Sequence, residues 1–518
     1  MYHFFEFFDL IPTEAKYLLS IGLVSLLLAT LLFIRKSRGL TFFLFLSAFL
    51  VASAFALIDP FLHTWDESFH ALVAKNASDG YFSPHLLNDD LVAYNPKIWV
   101  GNYIWLHKPP LALWQMGISI DLFGNSIYAV RLPSVLLFSF TVLLVYDLAK
   151  MIFSRTVAFY SAVMVILFQF LLEQIAGVHT SDHVDVSFLF YITGSLWSWF
   201  KYSKTEKRFY LYLIGIFIGL AILTKWLVGL LIFGAWSVLI IFLLLAQRSA
   251  VLKQLKDALT SFFVALLVAL PWNIYAAINY STEYWHELKY SSRHFYEVIE
   301  GHSGGGWFYW HNLSTLFGEG ALIPVIVILS LISLVFTLRN KIDRIVILAF
   351  ILLPYIFFTI ATTKMSNFVN IVSPLIIICI AAMFVRLFKV FDSRVRLNSY
   401  FSLLIIPFLF VFLLRPNQSI KNHLFHRMEQ RIYYKKSQAF IKELNGNSAD
   451  LYVYSGFSNY EHIIHMFHHR SVAVSSAPSY QSISKLQEQG TKIKVIYKSD
   501  PPPLPNLHEQ IEFIQLKW

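Results

Sequence analysis

Long apolar segments recur along most of this chain, and they constrain its fold more than any other feature. A helix needs about 20 consecutive apolar residues to cross the hydrocarbon core of a membrane. We find twelve candidate segments, near residues 17–34, 40–58, 127–149, 156–172, 184–200, 209–224, 227–246, 258–278, 319–338, 345–361, 367–385 and 399–414. The composition agrees, because 57% of the 518 residues are hydrophobic and only 14% are charged. The sequence therefore predicts an all-α polytopic membrane protein with about 12 transmembrane helices.

Basic residues between the apolar segments predict the orientation of the chain. Six alternate loops carry Lys and Arg, and they begin at Arg35, Lys150, Lys201, Arg248, Arg339 and Arg386. Basic loops stay in the cytoplasm, so we expect both termini to lie outside. The same distribution accounts for the net charge of +10 without a nucleic-acid-binding face. The single cysteine, Cys379, lies within an apolar segment and excludes a disulfide within the chain.

The C-terminal tail differs in composition from the rest. Short β-type runs at Leu451–Tyr454, Val472–Val474 and Ile493–Tyr497 alternate with polar helical stretches at Ser437–Leu444, Tyr460–Phe467 and Tyr480–Gln489. We therefore divide the chain into a transmembrane domain, 1–415, and a small soluble α/β domain outside the cytoplasm, 416–518. His462, His465 and His469 lie at helical spacing in the tail, and we interpret them as a solvated face.

Titratable residues concentrate on the predicted outer side. Ten of the 18 histidines fall in outer loops, chiefly in the two long loops 59–126 and 279–318, and none falls in a cytoplasmic loop. Carboxylates at the same boundary are Asp59, Asp66, Glu67, Asp182 and Asp185. Carboxylates near a bilayer are costly unless they are paired, hydrated or functional. Any one of these residues could be an ordinary wetted loop residue, but together they predict a polar cavity that faces outward.

The first outer loop contains two candidate motifs. Thr64 can cap a helix that starts near Asp66, whose first turn is then acidic, although this could be a helix cap and nothing more. Further on, Lys108 precedes two prolines, Pro109 and Pro110, which permit a helix to start. Lys108 would then lie beside a helix N-terminus, and both would favour an anion such as phosphate. Neither motif is specific by itself.

The ordered set of motifs resembles one family, the polyprenyl-phosphate-sugar-dependent glycosyltransferases of the GT-C type, which include the lipid A aminoarabinose transferases and the protein O-mannosyltransferases. The resemblance covers about residues 50–390. It rests on Asp66-Glu67, Gly80, Lys108-Pro109-Pro110-Leu111, Phe123-Gly124, Arg131-Leu132-Pro133, Asp185-Val186-Ser187-Phe188, Leu223-Thr224-Lys225, Leu270-Pro271-Trp272, Arg293, His302 and Thr363-Lys364. Several motifs depart from the family: Phe69 replaces a usual Arg, His107 replaces Glu, and Asn367-Phe368 replaces Pro-Tyr. These departures leave the substrate open.

The resemblance implies a mechanism and roles for individual residues. The donor would be a polyprenyl-phosphate-linked sugar, and the acceptor a lipid, glycan or protein at the periplasmic face of a bacterial inner membrane. Asp66 would be the general base, with Glu67 and Asp185 as acidic support or acceptor contacts. Lys108 would bind the donor phosphate, with Arg131, Lys225, Arg293 and Lys364 as further candidates. Arg131 could instead serve only to anchor a helix end. No nucleotide cofactor is expected.

The resemblance also implies a metal in some family members. A zinc ion would be held by the residue before Lys-Pro-Pro, here His107, and by a histidine of the second long loop, for which His302 is our first choice and His294 the next. The alternative is that these are hydrogen-bonding loop histidines.

Two other functional classes remain open at this stage. A multi-span transporter would show paired repeats with broken helices, and we find no internal repeat. A lipid-linked glycan polymerase or ligase would also have outer loops, but it need not combine Asp66-Glu67 with Lys108-Pro109-Pro110. The sequence leaves the sugar and the acceptor undetermined.

Overall fold

The structure is a computed structural model. It describes residues 11–87, 99–101, 103–178, 183–318, 320–395, 428–444, 447–457, 460–475, 483–484, 488, 490–498 and 511–516. The helices up to residue 395 are α1 (Thr13–Ile34), α2 (Leu40–Ile58), α3 (Asp66–Asn76), α4 (Leu111–Phe123), α5 (Ile127–Ile152), α6 (Arg155–Ile166), α7 (Gln169–Ile175), α8 (His183–Thr205), α9 (Arg208–Lys225), α10 (Leu231–Leu245), α11 (Val251–Asn279), α12 (Ser281–Arg293), α13 (Phe308–Phe317), α14 (Leu322–Thr337), α15 (Lys341–Ile360) and α16 (Ser373–Val395). Short 3₁₀ turns lie at Ala77–Asp79, Trp99–Gly101, Trp226–Leu230 and Ser366–Val372.

These helices form a bundle with the character of a multi-pass membrane protein. In the described part of the chain, seven helical segments are long and apolar enough to cross a membrane, with Arg208–Leu245 counted as one, or up to nine if each of two bent pairs is one span. The bent pairs are α6 with α7, at 45°, and α13 with α14, at 94°. The surface is apolar as lipid contact requires, since Leu267 is 59% and Ile332 54% exposed. The last predicted span, 399–414, lies outside the described residues, so the number twelve stays a prediction.

The gap between the predicted spans 209–224 and 227–246 contains a turn, as their separation requires. Helix α9 ends at Lys225, and Trp226 has a φ of 54°. A Cβ placed on Gly229 would lie 3.1 Å from the Cβ of Ala221. Two residues eight apart could not approach in this way within one helix, because eight residues span about 12 Å. The chain therefore reverses direction at this turn, and Lys225 lies at its tip.

The predicted basic loops gather at one end of the bundle, here called the basic end. Five of the six loops are joined by four contacts: Lys201 with Asp147 at 2.7 Å, Lys204 with Asp343 at 2.5 Å, the Tyr202 hydroxyl with Asp257 at 2.8 Å, and Arg155 over the ring of Phe33 at 5.4 Å. Helices α8, α9 and α15 each run between this end and the opposite one. The opposite end, which contains Asp185, Lys225 and Ala361, is here called the cavity end.

The tail contains a four-stranded parallel sheet. Its strands are β1 (Leu451–Ser455), β2 (Val472–Val474), β3 (Ile493–Tyr497) and β4 (Ile511–Gln515), in the order β2-β1-β3-β4. The register pairs Leu451 with both Val472 and Ile493. Helices α17 (Met428–Glu443) and α18 (Glu461–His468) accompany it. The three predicted strands are confirmed, whereas β4 was missed because its five residues show weak alternation.

The interpretation of the tail histidines as a solvated face was wrong. His462 is 8% and His465 0% exposed. The His465 ring lies 2.9 Å from the Tyr454 hydroxyl through Nδ1 and 2.7 Å from Ser471 Oγ through Nε2. The reason is that α18 is covered on both sides, by the sheet and by α3. Lys75 of α3 donates a 2.8 Å hydrogen bond to the carbonyl of His469. The tail therefore packs closely on the first outer loop.

Candidate active site

A cavity of about 1030 Å³ opens at the cavity end of the bundle. It is large enough for a sizeable ligand, because small-molecule pockets in proteins commonly have about 300–1,000 Å³. Its wall is formed where the predicted outer segments meet. Polar side chains on the wall are those of Asp66, His107, Lys108, Asp185, Lys225, Lys289, His294, Glu300, His302 and Asn367, and apolar ones include those of Leu227, Leu230, Leu231, Phe357, Phe358, Phe368 and Ile371. The predicted cavity therefore exists, at the end of the bundle opposite the basic loops and with both polar and apolar lining.

Asp66 lies on the cavity wall at the first residue of α3. The helix starts where the sequence predicts, but Thr64 does not cap it: the capping position is Trp65, which makes no side-chain cap. The Thr64 hydroxyl lies instead 3.2 Å from the Tyr434 hydroxyl in the tail. Trp65 has φ 70° and ψ −129°, a conformation that bulky residues rarely adopt. Strain of this kind persists only where the surroundings hold it, and it is typical of functional sites.

Glu67 points away from the cavity and is 1% exposed. Its carboxylate accepts hydrogen bonds from Arg131 Nε at 2.7 Å, from His183 Nε2 at 3.1 Å and from the His63 amide at 2.6 Å. Burial alone would raise the pKa of Glu67, but the charge of Arg131 and the hydrogen bonds from His183 and Arg131 outweigh it and lower the pKa to about 2. Glu67 therefore supports the site from behind and does not reach a ligand in the cavity.

Gly177 gives the Glu67 carboxylate its space. A Cβ at this position would lie 2.4 Å from Glu67 Oε2, and the glycine has φ 77°. Any other residue would both collide with the carboxylate and be strained.

Arg131 is fully buried behind the same wall, with 0% exposure. All five of its N–H groups are used. Besides the bonds to Glu67, Nη1 donates at 2.8 Å to the carbonyls of Ala56 and Asp59, and Nη2 donates at 2.9 Å to that of Phe61. A phosphate would find no free donor here. The arrangement corrects the phosphate assignment of Arg131 and favours the alternative, an anchor between α5 and the end of α2.

Asp185 and Lys225 form an ion pair on the cavity wall. The second carboxylate oxygen of Asp185 accepts a 2.9 Å hydrogen bond from the Asn367 amide. The Lys225 ammonium also lies 5.6 Å from the centre of the Phe368 ring. The three motifs that contain Asp185, Lys225 and Asn367 are far apart in the sequence, and the fold brings them together. Sequence analysis had marked Asn367 only as a departure from the family, so its role was missed.

Lys108 lies on the wall just before α4, which starts at Leu111 after Pro110 as predicted. Its charge influences nearby histidines. Burial and then the charge of Lys108 lower the pKa of His107 well below its usual range, and the same two causes lower the pKa of His294 to about 4. Both histidines therefore stay neutral near pH 7.

Lys364 and Arg293 do not line the cavity, which corrects their assignment as phosphate ligands. The Lys364 ammonium donates to the carbonyls of Phe358 at 3.1 Å and Thr359 at 2.8 Å, and also to that of Ala361. It thereby closes the end of α15, whose last carbonyls have no partner within the helix. Arg293 pairs with Glu297 at 2.7 Å on a partly exposed surface.

The residues proposed for zinc do not form a metal site. His107 and His302 both lie on the cavity wall. His107 Nδ1, however, lies 3.1 Å from Glu287 Oε2. Across the ranges that the structure describes, no three His, Cys, Asp or Glu side chains are grouped as a metal ligand set. Protein zinc sites need three or four such ligands, so the donor set does not fit zinc.

Sequence analysis missed two acidic residues, one that contacts a residue of the cavity wall and one that lies on the wall. Glu287 of α12 forms the hydrogen bond with His107, and burial raises the pKa of Glu287 to about 7. Glu300 lies on the wall with a φ of 52°, and it accepts a 3.1 Å hydrogen bond from the Tyr290 hydroxyl. Positive φ at a glutamate leaves no mark in the sequence. The only available signal was the neighbouring Gly301, with φ 76°.

Comparison with known sequences agrees with the motifs. The family described as dolichyl-phosphate-mannose-protein mannosyltransferase matches residues 107–275. The undecaprenyl phosphate-alpha-4-amino-4-deoxy-L-arabinose arabinosyl transferase 2 of Proteus mirabilis (strain HI4320) is 25% identical over 331 residues, which are 62% of this chain and 55% of the relative. The putative mannosyltransferase YkcB of Bacillus subtilis (strain 168) is 27% identical over 173 residues, 33% of this chain and 23% of the relative. The chain thus spans about half the length of the aminoarabinose transferases it matches.

Comparison with solved structures shows the fold. ArnT from Cupriavidus metallidurans bound to undecaprenyl phosphate has a TM-score of 0.59 at 15% identity, with 88% of each chain covered. The archaeal oligosaccharyltransferase AglB from Archaeoglobus fulgidus has a TM-score of 0.52 at 12% identity, with 83% of this chain and 64% of the other covered. At these identities the likeness concerns the fold. Together with the sequence relatives, it confirms the predicted resemblance to this group of membrane proteins.

Proposed function

Because the chain resembles the GT-C glycosyltransferases in motif, sequence and fold, we propose that it is a membrane glycosyltransferase. It would move a sugar from a polyprenyl-phosphate-linked donor to a hydroxyl or phosphate acceptor on a lipid, glycan or protein. Both the relatives and the neighbour that bears undecaprenyl phosphate support this class of donor. The observation that carries the proposal is that one cavity brings together a carboxylate, Asp66, and two lysines, Lys108 and Lys225.

The donor would occupy the cavity with its phosphate near the two lysines. Phosphate carries negative charge that ammonium groups stabilise, and the departing polyprenyl phosphate gains charge as its bond to the sugar breaks. The apolar part of the wall, which includes Leu231, Phe357 and Ile371, would cover the first isoprene units. The polar side chains that remain, Glu300 and His302 among them, would surround the sugar.

The reaction needs one proton transfer when the acceptor is a hydroxyl. Asp66 would take the hydroxyl proton as the acceptor oxygen forms its bond to the anomeric carbon. The bond between that carbon and the phosphate oxygen breaks, and the electron pair leaves with polyprenyl phosphate. Lys108 and Lys225 hold the leaving group, while Asp185 and Asn367 hold Lys225.

We place the cavity on the periplasmic face of a bacterial inner membrane. The basic end carries five of the predicted cytoplasmic loops, and the positive-inside rule puts that end in the cytoplasm. The cavity end then faces the periplasm, where lipid-linked sugars are presented after they have been flipped.

The central test compares Asp66→Asn with Asp79→Asn in purified protein supplied with polyprenyl-phosphate-linked sugars. Asp66→Asn keeps the shape of the side chain but removes the base, so transfer should fall by roughly 100- to 10,000-fold. Asp79, in the short turn directly after α3, is exposed, and its variant controls for the loss of one charge. Turnover of the Asp66→Asn protein near that of the parent would remove Asp66 as the base.

A further inference from the structure

The segment that carries Asp66 is held from two sides. It runs from Asp59, after α2, to Glu67, in the first turn of α3. On the side of the helix bundle, Arg131 donates to the carbonyls of Asp59 and Phe61 and to the Glu67 carboxylate. On the other side it contacts α17, a helix more than 360 positions further along the chain.

An ionic chain connects α17 to this segment. Arg431 donates to Asp59 Oδ1 through Nε at 2.8 Å and through Nη2. The second oxygen of Asp59 lies 2.9 Å from His63 Nε2, and the Asp59 side chain is 1% exposed. The His63 amide then donates to the Glu67 carboxylate at 2.6 Å. Displacement of Arg431 would leave a buried carboxylate without its guanidinium and disturb each later contact.

A second connection is made through the backbone. Gln438 accepts a 2.9 Å hydrogen bond from the Leu62 amide and donates a 2.6 Å hydrogen bond to the Leu62 carbonyl. Both residues are buried, at 4% and 0% exposure. Two opposed hydrogen bonds to the backbone of one residue fix the orientation as well as the position of the two peptide units that meet at Leu62. The Tyr434 hydroxyl, one turn earlier on α17, contacts Thr64.

The strained residue Trp65 is also held by the tail. Its ring lies 5.9 Å from that of Tyr460, which precedes α18, and 5.3 Å from that of Trp99. A tryptophan at φ 70° would relax if these neighbours were lost, because a bulky residue pays a steric penalty there. Relaxation of Trp65 would move the next residue, Asp66.

We infer that α17 is a positioning element of the active site, and that Arg431 and Gln438 set the place of the Asp66 carboxylate on the cavity wall. Neither residue lines the cavity, so both act through the segment from Asp59 to Asp66. The inference rests on the proposed role of Asp66 as base. It makes the tail a part of the catalytic unit, whereas the sequence had suggested a separate domain.

The test uses the full-length protein and the variants Gln438→Leu and Arg431→Gln. Lys435→Gln is the matched control, because Lys435 is an exposed cation on the same helix. A shift of about 1 Å in a catalytic group can cost roughly 100-fold in rate. We therefore expect kcat to fall about 10- to 100-fold in both variants and to stay within twofold in the control. Binding of sugar-free polyprenyl phosphate should not change, because Lys108 and Lys225 are held by other elements.

The distinction from a purely structural role comes from coupling with Asp66. In an Asp66→Glu background the carboxylate is already displaced. Gln438→Leu should therefore lower kcat by a clearly smaller factor there than it does in the parent. If the double variant loses kcat by the product of the two single losses, the inference is overturned. Unchanged kcat in both Gln438→Leu and Arg431→Gln would overturn it as well. A parallel loss of polyprenyl phosphate binding would do the same, because it would indicate general disruption.

Two milder changes keep the test valid if Arg431→Gln or Gln438→Leu does not fold. Arg431→Lys retains the charge but cannot donate two hydrogen bonds in a fixed fork, and Tyr434→Phe removes one hydroxyl only. Each should lower kcat while the melting temperature stays close to that of the parent. If both retain parental kcat, the inference fails. Activity retained in Asp66→Asn would instead contradict the proposed base, which is a separate result.

Discussion

Two groups of charged motif residues lie within a few side chains of one another but differ in what they face. The first group, the cavity wall, contains Asp66, Lys108, Asp185 and Lys225. The second, the buried layer, contains Glu67, Arg131 and Lys364, whose charged groups bind other parts of the protein. Asp66 and Glu67 are neighbours in sequence, yet one step of about 100° around the helix separates their directions. Membership of a motif therefore does not tell whether a residue faces the cavity or holds in place another residue that faces it.

The largest expected effect is on folding, from Arg131→Met in the buried layer. The change leaves the buried Glu67 carboxylate without its guanidinium, and breaking such a pair costs about 3–5 kcal/mol. We expect a strongly lowered melting temperature in detergent. Arg293→Met is the matched control, because Arg293 pairs with Glu297 at a partly exposed surface, and its melting temperature should hardly move. Equal shifts in the two variants would contradict the comparison.

The next effect is on catalysis, from Lys108→Ala in the cavity wall. Loss of one contact to the charge on the leaving group commonly costs about 2.7–4 kcal/mol, which is roughly 100- to 1,000-fold in rate. The melting temperature should stay near the parental value. Single-turnover transfer and binding of polyprenyl phosphate are the measurements, and Lys108→Arg should also be impaired if the site is shaped for an ammonium. If Lys108→Ala binds and transfers like the parent, the phosphate is held elsewhere.

Lys364→Met sharpens the comparison, since Lys364 belongs to a motif but contacts only carbonyls. Three carbonyl groups at the end of α15 would lose a donor, so stability should fall by about 1–3 kcal/mol. The transfer rate of the folded fraction should remain within threefold of the parent. A loss of rate as large as that of Lys108→Ala would show that Lys364 reaches the donor after all.

The smallest effect is a pH dependence at Glu287. Its pKa in the folded protein, about 7, lies above the ordinary value of 4.5, so the folded state binds this proton more tightly than the unfolded state does. Stability contributed by the protonated group is complete below about pH 4.5 and is lost as the pH rises through 7. The Glu287→Gln variant has no titrating group at this position, so it does not lose this stability as the pH rises. Its melting temperature relative to the parent should therefore rise between pH 5 and 8, and a constant difference would contradict the shifted pKa.

Much of the fold followed from the sequence because its causes are local. Apolar length predicted the helices, the prolines before Leu111 predicted the start of α4, and alternation predicted β1, β2 and β3. The sequence also showed a gap in the apolar run next to Lys225, where the structure has a turn. The bend between α6 and α7 was not, since the predicted apolar stretch 156–172 reads as continuous.

The sequence by itself determined the class of protein, the end of the bundle at which the cavity opens, and the two residues, Asp66 and Lys108, that face the cavity from the first outer loop. Only the tertiary structure decided which other motif residues join them. Lys225 reaches the wall because the chain reverses beside it, whereas Arg131 and Lys364 have all their donors taken by carbonyls and a carboxylate. The same holds for the tail, whose Arg431 and Gln438 contact Asp59 and Leu62 across more than 360 positions. Such pairings depend on packing between distant segments, and no local pattern in the sequence encodes them.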